Sequence, residues 1–482
     1  MFESVIGLEI HAQLFTDSKI FCGCSTRFGA SPNTHTCPVC LGLPGAIPVL
    51  NARAVEFAVR AALALGCVIE PVSVFARKNY FYPDLPKGFQ ISQFDQPLAT
   101  GGALEYEVDG RPVRVGITRV HLEEDAGKSL HDGFPEADRF TYVDFNRSGV
   151  PLIEIVTDPD LRAAADAAAF FSRLRAILVA LGVNDGNMEE GSLRCDANVS
   201  IRRRGEAALG VKTEIKNVNS FRNVQRAIEF EIDRQVGVVQ AGGRVVQETR
   251  LWDTASGSTH AMRGKEEAHD YRYFPEPDLP PLHLDPAWIE GIHRGLSELP
   301  EARRRRFVVA YGLPDYDAGV LTQTPALGAY FEATAAAADN PKAASNWIMG
   351  ELLRVMKERG ADITQVPLTP EALGGLIRLV DSGTISGPIA KQVFETMYDT
   401  GLDAATIVER DGLGRIDDVA AIESAVRSVL AAHAAAAAQY RAGKAQAFGF
   451  LVGQSMKALR GKANPDVVNT VLRRLLEQGA DH

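Results

Sequence analysis

Five short runs in the first half of the chain alternate polar and apolar positions with the two-residue period of a strand. In Val5-Ile6-Gly7-Leu8-Glu9-Ile10-His11, Ile6, Leu8 and Ile10 go to one face, while Glu9 and His11 share the other. The run Ser192–Ser200 groups Arg194, Asp196 and Asn198 against Leu193, Cys195 and Val199, and in Lys212-Thr213-Glu214-Ile215-Lys216 the acid is flanked on its own face by two lysines. The other two runs differ. In Val120-His121-Leu122-Glu123-Glu124-Asp125 the phase sets Glu124 with Val120 and Leu122, and in Pro151–Val156 Glu154 alone interrupts an apolar stretch. Both carboxylates sit on faces that read as buried, which is costly unless the acid is paired or holds a metal.

Helical periodicity appears twice among these strands and almost everywhere after them. Asp160 to Leu181 reads as an Ala-rich amphipathic helix stopped by Gly182, and Asn219-Ser220 caps a second that ends at Gly237. The passage Phe274-Pro275-Glu276-Pro277-Asp278-Leu279-Pro280-Pro281 cannot continue a helix and reads as an extended connector. Beyond it, Thr369-Pro370-Glu371 opens one helix, and Ser386 caps another whose Ile389, Val393, Phe394 and Met397 form a packing stripe. Asp411-Gly412-Leu413-Gly414 reads as a joint before a last helical unit containing the Ala434–Ala438 run. The expectation is an α+β region over 1–290, an all-α domain over 291–408 and a small all-α tail over 409–482.

At 482 residues the chain is long enough for two to four domains. A formal charge of -10 argues against indiscriminate coating of nucleic acid. The tail departs from that balance: between Tyr440 and Leu475, Arg441, Lys444, Lys457, Arg460, Lys462, Arg473 and Arg474 stand against Asp466 alone. Such an end suits a phosphate backbone, although a solvated helix face reads the same way. No run approaches the length of a membrane span, and Met1-Phe2-Glu3-Ser4 has neither a basic nor a long apolar lead, so a cytoplasmic protein is expected.

Four of the six cysteines, Cys22, Cys24, Cys37 and Cys40, have the C-x-C and C-P-x-C spacing of two knuckles that close a tetrahedral zinc site. A closed thiolate set leaves no position for a hydrolytic water, so the zinc is expected to be structural; Cys67, in apolar surroundings, reads as an ordinary buried thiol. The grouped acids Glu9, Glu124, Glu154, Asp196 and Glu214 with His11 suit a hard divalent cation completed by substrate phosphates, and hence phosphoryl transfer. Asp125-Ala126-Gly127-Lys128-Ser129 ends like a P-loop, but Leu122 stands where its first glycine is required. Arg77–Gln90 interleaves cations with rings, including Tyr80, Tyr82 and Lys87, a mixture suited to unpaired bases or to a loop packed by its own rings. Arg303–Arg306 reads as a solvated helix face.

Taken together these motifs resemble the B subunits of tRNA-dependent amidotransferases. The resemblance runs in order through Ile6–His11, the knuckles, Tyr80–Gln93, His121–Ser129, Asn146–Asp160, Gly191–Ser200, Lys212–Arg222, Asp270–Leu279 and Phe450–Pro465. It implies an N-terminal cradle with a central antiparallel sheet, followed by a helical domain and a tail that touches tRNA. The activity implied is ATP-dependent phosphorylation of the side-chain carboxylate of Glu-tRNA(Gln) or Asp-tRNA(Asn), then amidation with ammonia from a partner amidase A subunit in a heterotrimer that also holds a small C subunit. It carries a catalytic role onto Glu9, His11, Glu124, Glu154, Asp196 and Glu214, with Mg²⁺ on the first four and structural Zn²⁺ on the cysteines. Arg194, Asn198, Lys212 and Lys216 are expected at the ATP, and Tyr80, Tyr82, Lys87, Lys457, Arg460 and Lys462 at the misacylated tRNA. The rival from another class is a noncatalytic zinc-stapled adaptor that presents aminoacyl-tRNA; it predicts a basic surface without grouped acids.

Overall fold

The computed structural model describes residues 2–131, 133–262, 271–414, 418–459 and 462–478. It is α+β, with two compact units, Met1–Leu299 and Pro300–His482. In the first, the alternating runs become β1 (Phe2–Gln13), β2 (Arg111–Glu124), β3 (Pro151–Thr157), β4 (Leu193–Arg203) and β5 (Thr213–Val218), joined by β6 (Thr249–Asp253) and β7 (Ser258–Ala261). These lie in the order β7-β6-β5-β4-β1-β3-β2 within a ten-stranded sheet. Pairing between them is antiparallel except for the parallel β5–β6 pair, so the sheet is mixed.

One face of the sheet is apolar and covered by α1 (Ala52–Ala64), α2 (Ala164–Ala180) and α3 (Phe221–Gln240). Ile6, Leu8 and Ile10 are fully buried there with Phe170, Phe171 and Leu174 of α2 and Val224 and Ile228 of α3. Each such side chain contributes about 1.5–3 kcal/mol on burial. This anchoring holds the register of β1, and a slip of one residue would turn Glu9 and His11 into the core.

Local chemistry moved several boundaries. The second helix starts at Ala164 rather than Asp160, because the Asp160 carboxylate accepts from the Gly116 amide at 2.9 Å and Leu161 is bridged to Ile6. Ser220 does cap α3, accepting from Asn223 N at 3.1 Å, but the helix runs through Gly237 to Gln240. A helical glycine costs only about 1 kcal/mol, too little to stop a helix anchored by the buried Glu231 and Gln235.

The proline passage is likewise not a free connector. Phe274–Pro275 pairs with the strand Phe75–Asn79, and buried Glu276 takes both arms of Arg77 at 2.7 and 2.8 Å. Ile289, Ile292, Leu296 and Leu299 then pack on the same core, and this compact unit runs to Leu299.

In the second unit Thr369 caps Pro370–Asp381, accepting from Ala372 N at 3.2 Å, and Gly387–Thr400 buries Ile389, Val393, Phe394 and Met397. Its apolar side chains form two clusters, one around Phe331 and Phe394 and one around Leu451 and Leu472. Arg304 and Arg306 are tied to Asp315 and Glu332, so the basic run is an ion-pair surface. Among the described residues no single helix is long and apolar enough to cross a membrane.

Candidate active site

The uncovered face of the sheet carries rows of polar side chains set by strand register. His11 lies opposite Glu154 on β3 and Arg194 on β4, while His121 of β2 lies opposite Glu154. One row along, Glu9 lies opposite Asp196, and Asn198 lies opposite Gly7 and Glu214. Five predicted residues, Glu9, His11, Glu154, Asp196 and Glu214, therefore share one face.

At the centre, ligand atoms of His11, Glu123 and Glu154 all lie within 4.8 Å of one another. His11 Nε2 is 3.3 Å from Glu154, and His121 Nε2 is 3.6 Å from Glu123 and 3.7 Å from Glu154. His121 Nδ1 is buried without a hydrogen-bond partner among the described residues. Two carboxylates and an imidazole at this spacing fit a divalent cation whose remaining positions are filled by water or phosphate oxygens.

The structure corrects the grouping at Glu124. Alternation along β2 turns His121 and Glu123 to the polar face and Glu124 to the other, where its carboxylate accepts from Lys87 and from the Ile91 amide at 2.8 Å. It is Glu123, not Glu124, that joins His11 and Glu154 in the cluster. Its signal was present in the run itself, since Glu123 is in phase with His121 and out of phase with Val120 and Leu122. Glu124 and Lys87 instead line a separate cavity of about 210 Å³ beside Arg77, Glu276, Cys22 and Cys40.

Surrounding cations hold Glu154 and Glu123 charged. Burial would raise Glu154, but His11, His121 and Lys78 bring its carboxyl well below the usual range; burial would likewise raise Glu123, which His121 and Lys78 lower. For His11, burial pushes down and the Glu154 carboxylate more than reverses it, leaving the imidazole raised. Glu9 is raised by burial and by the charges of Glu154 and Glu214, and it accepts from Asn198 Nδ2 at 2.9 Å. Lys216 bridges Asp196 at 3.4 Å and Glu214 at 3.2 Å, and Arg194 holds Asp125 at 3.1 Å. Sequence reasoning also missed Lys78, Asp125 and Arg119, which lies 3.7 Å from Glu154, because their positions depend on strand pairing.

Of the remaining predicted residues, Tyr80 meets Tyr271 edge-on at 6.1 Å and Tyr82 is exposed. In the tail, Lys462 donates to the Gly412 carbonyl, and Arg460 lies outside the described residues. Lys457 lies in the last turn of helix Gln446–Ala458, and Lys212 borders a cavity beside Glu9. The sulfurs of Cys22, Cys24, Cys37 and Cys40 also lie within 4.8 Å of one another, with Cys37 and Cys40 at 3.9 Å. Zinc–thiolate bonds of about 2.3 Å in a tetrahedron place sulfurs about 3.8 Å apart, so this set fits zinc.

The fold defines a two-part protein, a mixed-sheet domain with acids and imidazoles clustered on its open face followed by a helical region. A family model described as "GatB/GatE catalytic domain" matches residues 4–290, and one described as "GatB domain" matches 329–476. The chain is 56% identical over 475 residues to the B subunit of the aspartyl/glutamyl-tRNA(Asn/Gln) amidotransferase of Solidesulfovibrio magneticus, covering 98% of this chain and 99% of that one. The protein of the same name from Geotalea daltonii is 55% identical over 476 residues, 99% of each chain, and that from Moorella thermoacetica 56% over 475, covering 98% and 100%. The chain belongs to the family of aspartyl/glutamyl-tRNA(Asn/Gln) amidotransferase B subunits.

Proposed function

We propose that the polar sheet face activates the side-chain carboxylate of a misacylated Glu-tRNA(Gln) or Asp-tRNA(Asn) by phosphoryl transfer from ATP, and then amidates it. The observation that carries this reading is the convergence of His11, Glu123 and Glu154, with Glu9, Asp196 and Glu214 beside them, on one face. A carboxylate resists attack by ammonia, whereas an acyl phosphate has a good leaving group. The substrate oxygen attacks the γ-phosphorus as the bond to the bridging oxygen of ADP breaks; ammonia then attacks the acyl carbon and phosphate departs.

Mg²⁺ held by His11, Glu123 and Glu154 would neutralise phosphate charge. The chain's own groups do the positioning. Glu154 orients the His11 ring, while Lys78, held protonated by Glu123 and Glu154, offers a cation next to the reacting phosphoryl group. Lys216, fixed between Asp196 and Glu214, is a second such cation. Glu9, whose carboxylate is made more basic by burial and by the charges of Glu154 and Glu214, is suited to taking the proton that ammonia loses on attack.

The sequence has no glycine- and serine-rich amidase nucleophile loop, so ammonia comes from a partner amidase within a heterotrimer completed by a small third chain. Zn²⁺ on the four cysteines staples the N-terminal region, in keeping with a reducing cytoplasm. The basic tail, including Lys457 and Lys462, contacts the tRNA body. In the reconstituted complex, Asp196→Ala and Glu154→Gln should abolish ATP-dependent acyl-phosphate formation while glutamine hydrolysis persists. Undiminished phosphorylation in both variants would return the chain to a presenting adaptor.

A further inference from the structure

We infer that Arg194, positioned by the buried Asp125, seats the side-chain carboxylate of the amino acid carried by the tRNA. The inference names a contact within the proposed activation and rests on that reading. Its starting point is the Asp125–Ser129 run, which ends like a P-loop but lacks the first glycine. The phase of His121 and Glu123 carries on to Asp125, so its carboxylate reaches the polar face just past the end of β2. There it accepts from Gln13 Nε2 at 2.7 Å, from Arg194 Nη2 at 3.1 Å on both oxygens and from the Ala126 amide at 3.0 Å, with Arg147 Nε 3.7 Å away. Its side chain is only 5% exposed, and the two arginines hold it ionised against burial.

The loop that carries this anchor is itself fixed. Arg147 donates from Nε and Nη2 to the carbonyls of Ala126 and Gly127 at 2.9 and 2.7 Å, and a Cβ on Gly127 would fall 2.9 Å from the Asp84 carbonyl oxygen. Arg194 is engaged through Nη2 alone. Its Nε and Nη1 have no partner among the described residues, and 28% of the side chain is exposed. Arg194 and Glu154 are the strand partners of His11 on its two sides, each about one strand spacing of ~4.8 Å away. An oxyanion on Arg194 and a phosphoryl group on the ligand cluster are then neighbours.

A guanidinium suits a carboxylate and a phosphate alike. Charge favours the carboxylate. Asp196 and Glu123, the other acids that act on Arg194, are matched by Lys216 and by Lys78 with His121. Two guanidiniums then share Asp125, and the single surplus positive charge complements one carboxylate rather than a polyphosphate. Arg194 accordingly serves the acyl group and not the ATP at which the resemblance sets it.

The test uses the assembled amidotransferase and one tRNA charged either with the acid or with its amide, which differ in that carboxylate alone. Affinities for both are measured without ATP for the unaltered complex, Arg194→Ala, Arg194→Gln and Asp125→Asn; acyl-phosphate formation and KM for Mg-ATP are measured separately. The unaltered complex should prefer the acid-charged tRNA about tenfold or more, the worth of a charge-assisted hydrogen bond. All three variants should lose that preference with KM for Mg-ATP unchanged. Guanidinium chloride below denaturing concentration should restore acyl-phosphate formation to Arg194→Ala, but not once Asp125→Asn is added, because the ion then lacks its anchor. A purely structural role for either residue would give no such rescue. No preference in the unaltered complex, a preference kept in the variants, or a loss that appears instead as a raised KM for Mg-ATP overturns the assignment. If Arg194→Ala or Asp125→Asn fails to fold, Arg194→Gln, which keeps the stem and a donor without the charge, decides alone. An unaltered complex that shows the preference but forms no acyl phosphate would remove the phosphoryl-transfer step alone and still support the Arg194 seat.

Discussion

Glu123 and Glu124 are neighbours in the chain and opposites in the fold, and exchanging each for glutamine separates catalysis from stability. Glu123→Gln removes one of the three clustered side chains proposed to hold Mg²⁺; even residues behind a metal's ligands are worth roughly 10–100-fold in affinity, so a loss of at least ~100-fold in Mg²⁺ binding is expected. Its effect on Tm should be small, because an amide can still accept from Ser92 and one negative charge leaves the vicinity of Glu154. Glu124→Gln acts on a pair whose side chains are only 8% (Lys87) and 2% (Glu124) exposed. Leaving the Lys87 ammonium buried without its anion costs about 3–5 kcal/mol. At roughly 2 °C per kcal/mol for a unit of this size, Tm should fall by about 6–10 °C. Mg²⁺ calorimetry and a thermal melt of the same samples read both quantities. If Glu124→Gln abolished Mg²⁺ binding at an unchanged Tm while Glu123→Gln kept its affinity, the facing of β2 would be refuted.

Three further outcomes are expected. Cys37→Ser should release zinc, read by elemental analysis, and lower the Tm of the N-terminal region; full zinc content with an unchanged melt would contradict the structural site. Gly210→Ala forces a methyl group against the Ile201 carbonyl and should cost about 1–3 kcal/mol, with faster amide exchange in the surrounding loop. The Cys67 thiol, pushed up to about 12 by burial, should resist iodoacetamide at pH 8 until the protein unfolds, whereas rapid labelling of the native protein would show the site to be open.

Much of the architecture was legible in local pattern. Alternation in β1 separated Ile6, Leu8 and Ile10 from Glu9 and His11, because a side-chain period of two needs no knowledge of neighbouring strands. The thiol spacing was equally local: C-x-C and C-P-x-C bring paired sulfurs together through their own turns. Helix caps at Ser220 and Thr369 were readable for the same reason. Helix ends fared less well where distant groups competed, as when Gly116 took the Asp160 carboxylate and kept the chain extended up to Ala164.

What only the tertiary structure decided is which acids meet. The strand order β5-β4-β1-β3-β2 joins segments far apart in sequence, so the register of three pairings places Glu154 beside His11 and Glu123 beside both. The opening run could not announce that Gln13 would meet Asp125, nor that the same carboxylate would hold Arg194. Side-chain direction is a property of a single strand, dictated by sterics between consecutive residues. Convergence is a property of the whole sheet, because hydrogen-bond register and helix packing on the opposite face set it together.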